Sequence, residues 1–554
     1  MKVRIEQLNP IIGDLKGNTS LILDALKLAE SAGIDLLILP EMVVTGYPAQ
    51  DLLESEAFRD SCYRANDEII SASAKTAILF GSVTPKKEGF GRKMYNSALL
   101  AKEGEMIGMT HKALLPTYDI FDDLRYFEPN KSFKCLKLDG VKLGVTICED
   151  IWYNENEVQY HTYEVDPAAE LKKAGADVII NISASPYTNT KHQNRVSMLK
   201  NHARKLDLPV FYANQVGAHT DIIFDGDSMV INRNTDIVTN TRIFHPSFTD
   251  IEWNPDSGKV TGLTELQIYP SSKQERQFEA VRCGLRDYMD KLNITEKVVL
   301  GLSGGIDSAL VCALAVETLG ADRVKAITLP GQFSSKGSVT DSRLLADNLG
   351  VELFELSIEP LFEEFRNTLA PLFKGESFGV AEENVQSRIR GSLLMAYSNK
   401  FGNFLLPTGN KSEYAVGYAT LYGDMNGALA IIGDLYKTEV YDLCKWLNSS
   451  YYKKEVIPDS ILVKPPSAEL RPDQKDTDSL PDYEVLDDIL YRYIELQQSR
   501  SEISESGYES ELVHKILRMV DMNEFKRYQA APILKLASKS FGTGRRWPIV
   551  QKWK

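Results

Sequence analysis

The amino-acid sequence predicts an α/β protein made of two successive domains. Three observations carry this expectation. Short apolar runs alternate with helical patterns through the first half of the chain, the alternation dissolves between about residues 245 and 273, and it then resumes with a fresh helix and strand. With 554 residues and 43% hydrophobic side chains, there is enough apolar material for two cores.

The elements follow in order. KVRIEQLNP (2–10) alternates like a strand, and Asn18, Thr19 or Ser20 can cap the helix LILDALKLAESAG, which ends at Gly33. DLLILPE (35–41), TAILFGSV (76–83), VKLGVTICED (141–150), ADVIINISAS (176–185) and LPVFYANQVG (208–217) are apolar runs closed by turn or polar residues, as buried strands are. AAELKKAGA (168–176) and NRVSMLKNHARKLD (194–207) supply helices between them. HPSFTDIEWNPDSGKVTG and PSSKQ read as a linker, so the expected division is 1–260, a linker over 261–273, and 274–554. The second domain opens with the helix RQFEAVRCGLRDYMDKLN (276–293) and the strand KVVLGLS (297–303). A helix near 307–320, the strand VKAITLP (324–330), a helix near 339–349, the strand VELFELS (351–357), a long helix near 383–399 and the strand FLLPTGN (404–410) complete it. The polar stretches 331–338, 373–384 and 463–482 are expected to be lid-like loops.

Composition excludes several classes. A net charge of −14 disfavours a nucleic-acid binder, and no apolar run reaches the roughly 18 residues of a membrane span. Six cysteines without CxxC pairing indicate neither a disulfide framework nor a zinc ribbon. MKVRIEQLNPIIGD has no signal-peptide core. A soluble, cytoplasmic protein is expected, with no nucleic-acid or membrane partner.

Three polar residues end strands in the first half: Glu41, Lys112 and Cys148. A thiol with a free pKa near 8.5 becomes a useful nucleophile when a base takes its proton and a cation supports the anions that form. Taken singly, Cys148 reads as a small core residue, Glu41 as a strand-end charge and Lys112 as a surface charge, and spacing alone does not bring them together. The words around them do more. LPEMVVTGYP, HKALLPTYDIFDDLRYF and GVTICEDIW resemble the three signature segments of the nitrilase (carbon–nitrogen hydrolase) superfamily, in the right order over residues 39–152. The resemblance implies an αββα sandwich with Glu41 as general base, Cys148 as nucleophile and Lys112 as the cation beside the oxyanion. That family usually has Glu where this chain has Asp123. In its glutamine-specific members the positions of Tyr118, Ser185 and Lys191 bind the substrate. No metal is assigned to this half, because His111, His192 and His202 share no ligand spacing with a carboxylate.

In the second half VVLGLSGGIDSALVCALAVETLG (298–320) is a strand, a glycine–serine loop and a helix start, where unpaired N–H groups and the positive dipole end suit phosphate. No Gly-Lys-Ser/Thr follows, so it is not a Walker A loop. SGGIDS resembles the pyrophosphate-binding (PP) loop of the ATP pyrophosphatase class, which implies a doubly wound parallel sheet. It also implies an ATP site at Gly301, Leu302, Ser303, Gly304, Gly305, Ile306, Asp307 and Ser308, with Asp307 suited to Mg²⁺. ENVQSRIRGSLLMAYSN (383–399), LPTGNKSEYAVGYATLYGDMNGALAIIGDLYKTEVYDL (406–443) and KPPSAEL (464–470) are similar to the NAD synthetase family, and with the nitrilase half the match covers nearly the whole chain. That resemblance implies Thr408, Lys437 and Ser467 at ATP, Ser467 standing where the family usually has Thr. It implies Glu413 as the second Mg²⁺ carboxylate, and Asn384, Glu413 and Lys526 at deamido-NAD⁺. Residues 525–554 hold eight Lys or Arg and no acid, which fits either a solvated tail or a phosphate contact through Lys526. The acidic stretch 473–488 reads as a solvated loop, although the resemblance implies a flexible segment here that closes over the active site.

Together the resemblances imply that Cys148 releases ammonia from glutamine. The second domain would adenylate deamido-NAD⁺ with ATP and let ammonia displace AMP. Free ammonia is mostly NH₄⁺ at neutral pH, so a guarded passage is expected, and the resemblance implies one in a homo-oligomer. Two other readings stay open: the same phosphate loop with a different acceptor, such as a purine nucleotide or tRNA, and a nitrilase half that only binds partners.

Overall fold

A computed structural model describes residues 1–152 and 163–553. The chain divides into two compact units, Met1–Ser271 and Ser272–Lys554.

The first unit contains two large sheets. The strands Lys2–Gln7, Leu36–Ile38 and Ala77–Pro85 run parallel at the centre of a seven-stranded sheet. Met94–Lys102 and Glu105–His111 extend it antiparallel on one side, and Ser247–Asn254 and Lys259–Gly262 on the other. Val141–Ile147, Val178–Ser183 and Val210–Asn214 form the parallel centre of a six-stranded sheet. Alternate residues of these strands belong to different layers, because side chains of a strand point to opposite faces. Leu36 and Ile38 join Val145, Ile147, Ile180 and Ile182 in the core between the sheets. Leu37 and Leu39 pack instead with Ile22, Leu26 and Ile69 of the helices Leu15–Ser31 and Glu56–Ala72. On the far face, Ile179 and Tyr212 meet Met198 and Leu199 of the helix Lys191–Leu206. The layers run helix, sheet, sheet, helix, as expected of an αββα sandwich.

The expected linker requires a correction. Most of HPSFTDIEWNPDSGKVTG is a hairpin: Ser247–Asn254 pairs antiparallel with the strand Lys2–Gln7, and Ile251 and Trp253 are fully buried between the sheets. Residue 260 lies inside the strand Lys259–Gly262, so the backbone on either side of that boundary belongs to one sheet. Further along, Gln267 exchanges two hydrogen bonds with Asn240, at 2.8 and 3.1 Å.

The second unit has a four-stranded parallel sheet in the order Glu352–Glu355, Val324–Thr328, Val298–Gly301, Phe404–Leu405. Chain order reverses beside Val298–Gly301, and the loops after the two strands flanking that point diverge to leave a crevice at their carboxyl ends. SGGIDS follows one strand and LPTGN the other. The helices Ile306–Leu319 and Val380–Phe401 flank the sheet, and a second core gathers the helices Tyr483–Ile494 and Ser510–Met522 around Tyr414 and Val416. The stretch 473–488 is not the solvated loop expected: Asp476 and Asp487 are buried. Nor is the basic tail solvated throughout, because Arg527 and Arg545 are buried against Glu524 and Lys535 donates to two nearby carbonyls; Lys554 lies outside the described residues. Among the described residues no helix is long and apolar enough to cross a membrane.

Candidate functional sites

In the first unit, Glu41, Lys112 and Cys148 each follow the end of a sheet strand, and the structure brings them together. The Lys112 ammonium lies 2.8 Å from Glu41 Oε1 and 2.6 Å from Asp123 Oδ2. Asn96 Nδ2 donates to Glu41 Oε1 at 2.7 Å and the Ala184 N–H to Oε2 at 2.8 Å, so the carboxylate is oriented from both sheets. Cys148 follows the strand Val141–Ile147 in left-handed backbone, with φ 44°, a sharp turn at the strand's end. Burial pushes its thiol well above the ordinary value, Glu41 adds to this and Lys112 opposes it, so the resting sulfur is neutral. Burial disfavours charge on Lys112, but Asp123 and Glu41 outweigh it and hold the ammonium firmly protonated. A neutral thiol, an oriented carboxylate and a fixed cation are the parts that nucleophilic attack on an amide carbonyl uses.

Asp123 stands in the site despite its shorter side chain, and it also accepts the Tyr47 hydroxyl at 2.9 Å. Sequence reasoning gave no role to Asp150. Its Oδ1 accepts the N–H groups of Ala113 and Leu114 at 2.9 and 2.8 Å and its Oδ2 that of Ile147 at 3.0 Å, tying the segment after Lys112 to the turn before Cys148. The motif CED was the available signal. The three expected glutamine contacts lie around this centre. The Tyr118 hydroxyl donates to both oxygens of Glu149, each at 3.0 Å. Ser185 is buried, with its N–H on Asn214 Oδ1 at 2.8 Å. Lys191 opens the helix Lys191–Leu206 with its ammonium 3.8 Å from the Trp152 ring centre, and burial lowers its pKa against the pull of Glu149.

The second site occupies the crevice of the parallel sheet. Gly301, Leu302, Ser303, Gly305, Ile306, Asp307, Ser308, Thr408, Glu413, Lys437 and Ser467 line one cleft. Gly304 is set behind it: its φ is 75°, and a Cβ there would stand 2.2 Å from the Ser338 carbonyl oxygen. The loop turns back on the Ser308 hydroxyl, which accepts the Ser303 N–H at 3.2 Å and donates to the Gly305 carbonyl at 3.0 Å. Asn410 caps the short helix Lys411–Val416 and donates to Asp307 Oδ1 at 2.8 Å. The Lys437 ammonium lies between two carboxylates, 2.5 Å from Asp307 Oδ2 and 3.3 Å from Glu413 Oε1. Burial and Asp307 together push Glu413 up to about 8. Asp476, accepting the Tyr483 hydroxyl at 2.8 Å, lines the same cleft and went unnoticed because its neighbours are polar. Two carboxylates converging on one cation suit Mg²⁺, which takes one or two carboxylates with phosphate oxygens completing its shell.

Two expected residues stand apart. Asn384 accepts the Thr420 hydroxyl at 2.8 Å, and Lys526 donates to the carbonyls of Gly417 and Ala419, both at 2.8 Å. Neither lines the cleft; both hold the segment 417–420, which borders it through Tyr418.

Comparison with known proteins identifies the family. The carbon–nitrogen hydrolase family model matches residues 2–242, and that for NAD synthase matches residues 277–530. A glutamine-dependent NAD(+) synthetase from Synechocystis sp. is 45% identical over 557 residues, covering 99% of this chain and 98% of the relative. One from Thermotoga maritima is 39% identical, covering 100% and 99%. The solved structure of glutamine-dependent NAD+ synthetase from Acinetobacter baumannii, in complex with ADP, superposes with a TM-score of 0.78 at 36% identity over 100% of this chain and 99% of that one. With a carbon–nitrogen hydrolase region followed by an NAD synthase region along its whole length, the chain belongs to the glutamine-dependent NAD(+) synthetase family.

Proposed function

We infer that the protein is an ATP-dependent carbon–nitrogen ligase that makes NAD⁺ from deamido-NAD⁺ with glutamine as nitrogen donor. The observation that carries this reading is that one chain, similar to these synthetases end to end, holds a thiol–carboxylate–ammonium centre and a phosphate loop whose Asp307 meets Glu413 across the Lys437 ammonium.

In the first unit Glu41 takes the Cys148 proton as sulfur attacks the side-chain amide of glutamine. Lys112 stabilises the oxyanion, and the proton passes to the departing ammonia. Water then hydrolyses the thioester to glutamate. Tyr118, Ser185 and Lys191 hold the amino-acid end of the substrate, the lysine pairing with its α-carboxylate. In the second unit the PP loop, Thr408, Lys437 and Ser467 bind ATP, and Glu413 serves deamido-NAD⁺, with Asn384 and Lys526 acting through the segment 417–420 that they hold. The nicotinate carboxylate attacks the α-phosphorus and pyrophosphate leaves; ammonia then adds to the acyl adenylate and AMP leaves. Asp307 and Glu413 would hold Mg²⁺, which offsets the charge of the phosphates when bound. The enzyme is proposed to work in the cytoplasm as a homo-oligomer on small-molecule substrates.

The division of labour is tested by Cys148→Ala. Glutamine-driven NAD⁺ synthesis should fall below detection, while synthesis from an added ammonium salt should stay within about twofold of the unsubstituted chain. Equal loss of both would show that the two chemistries are not separate. AMP release indifferent to deamido-NAD⁺ would point to another acceptor.

A further inference from the structure

One carboxylate in the second unit joins two elements that carry site residues, although it lies outside the matched motifs. Asp487 sits on the helix Tyr483–Ile494 with 5% of its surface exposed. Its Oδ1 accepts the Ser412 hydroxyl at 2.5 Å. Its Oδ2 accepts both the N–H and the hydroxyl of Thr438, at 2.9 and 2.8 Å. The Ser412 oxygen in turn accepts the N–H of Lys437 at 2.9 Å. Ser412 immediately precedes Glu413, and Thr438 immediately follows Lys437.

This side chain thus spans the first turns of the helices Lys411–Val416 and Lys437–Trp446. Of the free N–H groups of these two turns Asp487 accepts one, that of Thr438, and it reaches the other turn through the Ser412 hydroxyl; a carboxylate at this place also favours both positive dipole ends. Burial raises the Asp487 pKa to about 6, against the pull of the Ser412 and Thr438 donors, so the group is charged at neutral pH. A helix of six residues has little stability of its own, so its placement depends on such ties. Lys411, buried between Asp434 and Glu495, anchors the backbone of that turn; Asp487 adds the link to the residues flanking Lys437.

We propose that Asp487 is a positioning residue for the phosphate chemistry: through Ser412 and Thr438 it fixes the spacing between the Glu413 carboxylate and the Lys437 ammonium, and so the geometry they present to Asp307 and ATP. The proposal rests on the functional reading above. Reacting groups misplaced by about 1 Å cost on the order of 10²-fold in rate, so loosening this tie is felt in turnover before it is felt in the fold.

The test uses the full chain with an ammonium salt as nitrogen source. Asp487→Asn keeps the shape but sets an N–H₂ group, or one acceptor fewer, against three donors. It should lower kcat for NAD⁺ synthesis by about 10–100-fold, a larger effect than on KM for deamido-NAD⁺, which Glu413 also serves. Glutamine hydrolysis in the first unit should stay within about twofold. Thr438→Val, which removes one hydroxyl, should lower kcat by about threefold to tenfold with the melting temperature nearly unchanged. It decides the matter should Asp487→Asn fail to fold. A kcat within twofold of the unsubstituted chain in a folded variant would overturn the proposal, as would losses that merely track the melting temperature. Calorimetric ATP binding in the presence of Mg²⁺ keeps the two readings apart. It should weaken about tenfold in Asp487→Asn whatever the acceptor, so an unsubstituted chain that makes no NAD⁺ would count against the functional reading alone.

Discussion

Asp150 illustrates how a single buried residue sets a measurable property. Burial raises its pKa to about 7, even though three backbone N–H groups and Lys112 favour its charged form. The unfolded group titrates near 3.9. Between about pH 4 and 7 the folded chain therefore binds more protons at this site than the unfolded chain, and stability from this group falls as pH rises through that window. Asp150→Asn, neutral at every pH, lacks this cost. The difference in urea midpoint between variant and parent should shift in favour of the variant as pH rises from 4 to 7, then level off. A difference independent of pH would mean that Asp150 is ordinarily ionised. The residues that carry local chemistry, Cys148 in ICED and Asp307 in SGGIDS, were legible because their neighbours in sequence are also their neighbours in function. Asp150 and Asn96 were not, since each acts through a partner in another strand or loop: Asn96 meets Glu41 across 55 residues of chain. Asn384 and Lys526 show the converse, as family positions whose side chains here bind a neighbouring segment rather than face the cleft.

Elements buried on both faces were read most faithfully, because a parallel strand between two layers is a short apolar run. Val178–Ser183 and Val298–Gly301 are of this kind. Ser247–Asn254 alternates buried and partly or fully exposed residues, and its polar positions with the nearby Pro and Gly resemble a connector. The phosphate loop was legible for a different reason: its backbone demands glycine. At φ 75° with the Ser338 backbone directly behind it, Gly304 has no room for a side chain. Gly304→Ala must either strain the backbone, at about 1 kcal/mol for the left-handed conformation alone, or push the helix Lys336–Leu349 away. Either displaces the N–H groups of the loop proposed to bind the phosphates. Ammonium-driven synthesis should fall by more than about 10²-fold, while glutamine hydrolysis, housed in the other unit, stays within about twofold. Retained synthesis would mean that the loop tolerates movement and that its tight packing has no catalytic purpose.

The whole molecule raises the question of where the first unit ends, and pairing across a long stretch of sequence decides it. The strand Lys2–Gln7 is completed by Ser247–Asn254: Arg4 makes two 2.8 Å contacts to Asp250, and Met1 and Trp253 exchange backbone hydrogen bonds of 2.9 and 2.8 Å. Trp253 packs edge-on against Phe211 of the opposite sheet at 5.5 Å between ring centres. Burying Ile251 and Trp253 contributes about 1.5–3 kcal/mol each, and their loss comes with that of the strand's hydrogen bonds. A domain has only about 5–15 kcal/mol of net stability to lose. A chain cut after residue 245 should therefore fail to give a cooperative thermal transition, because it exposes the inter-sheet core and leaves Lys2–Gln7 as an open edge. A chain cut after Ser271 keeps the hairpin and the Gln267 contacts, and should melt cooperatively and still hydrolyse glutamine through Cys148. The comparison is made by circular dichroism and glutamate release on the two truncations. If the shorter chain melts within a few degrees of the longer one and both retain activity, the hairpin belongs to the connection between units after all, and the boundary drawn from composition was the better one.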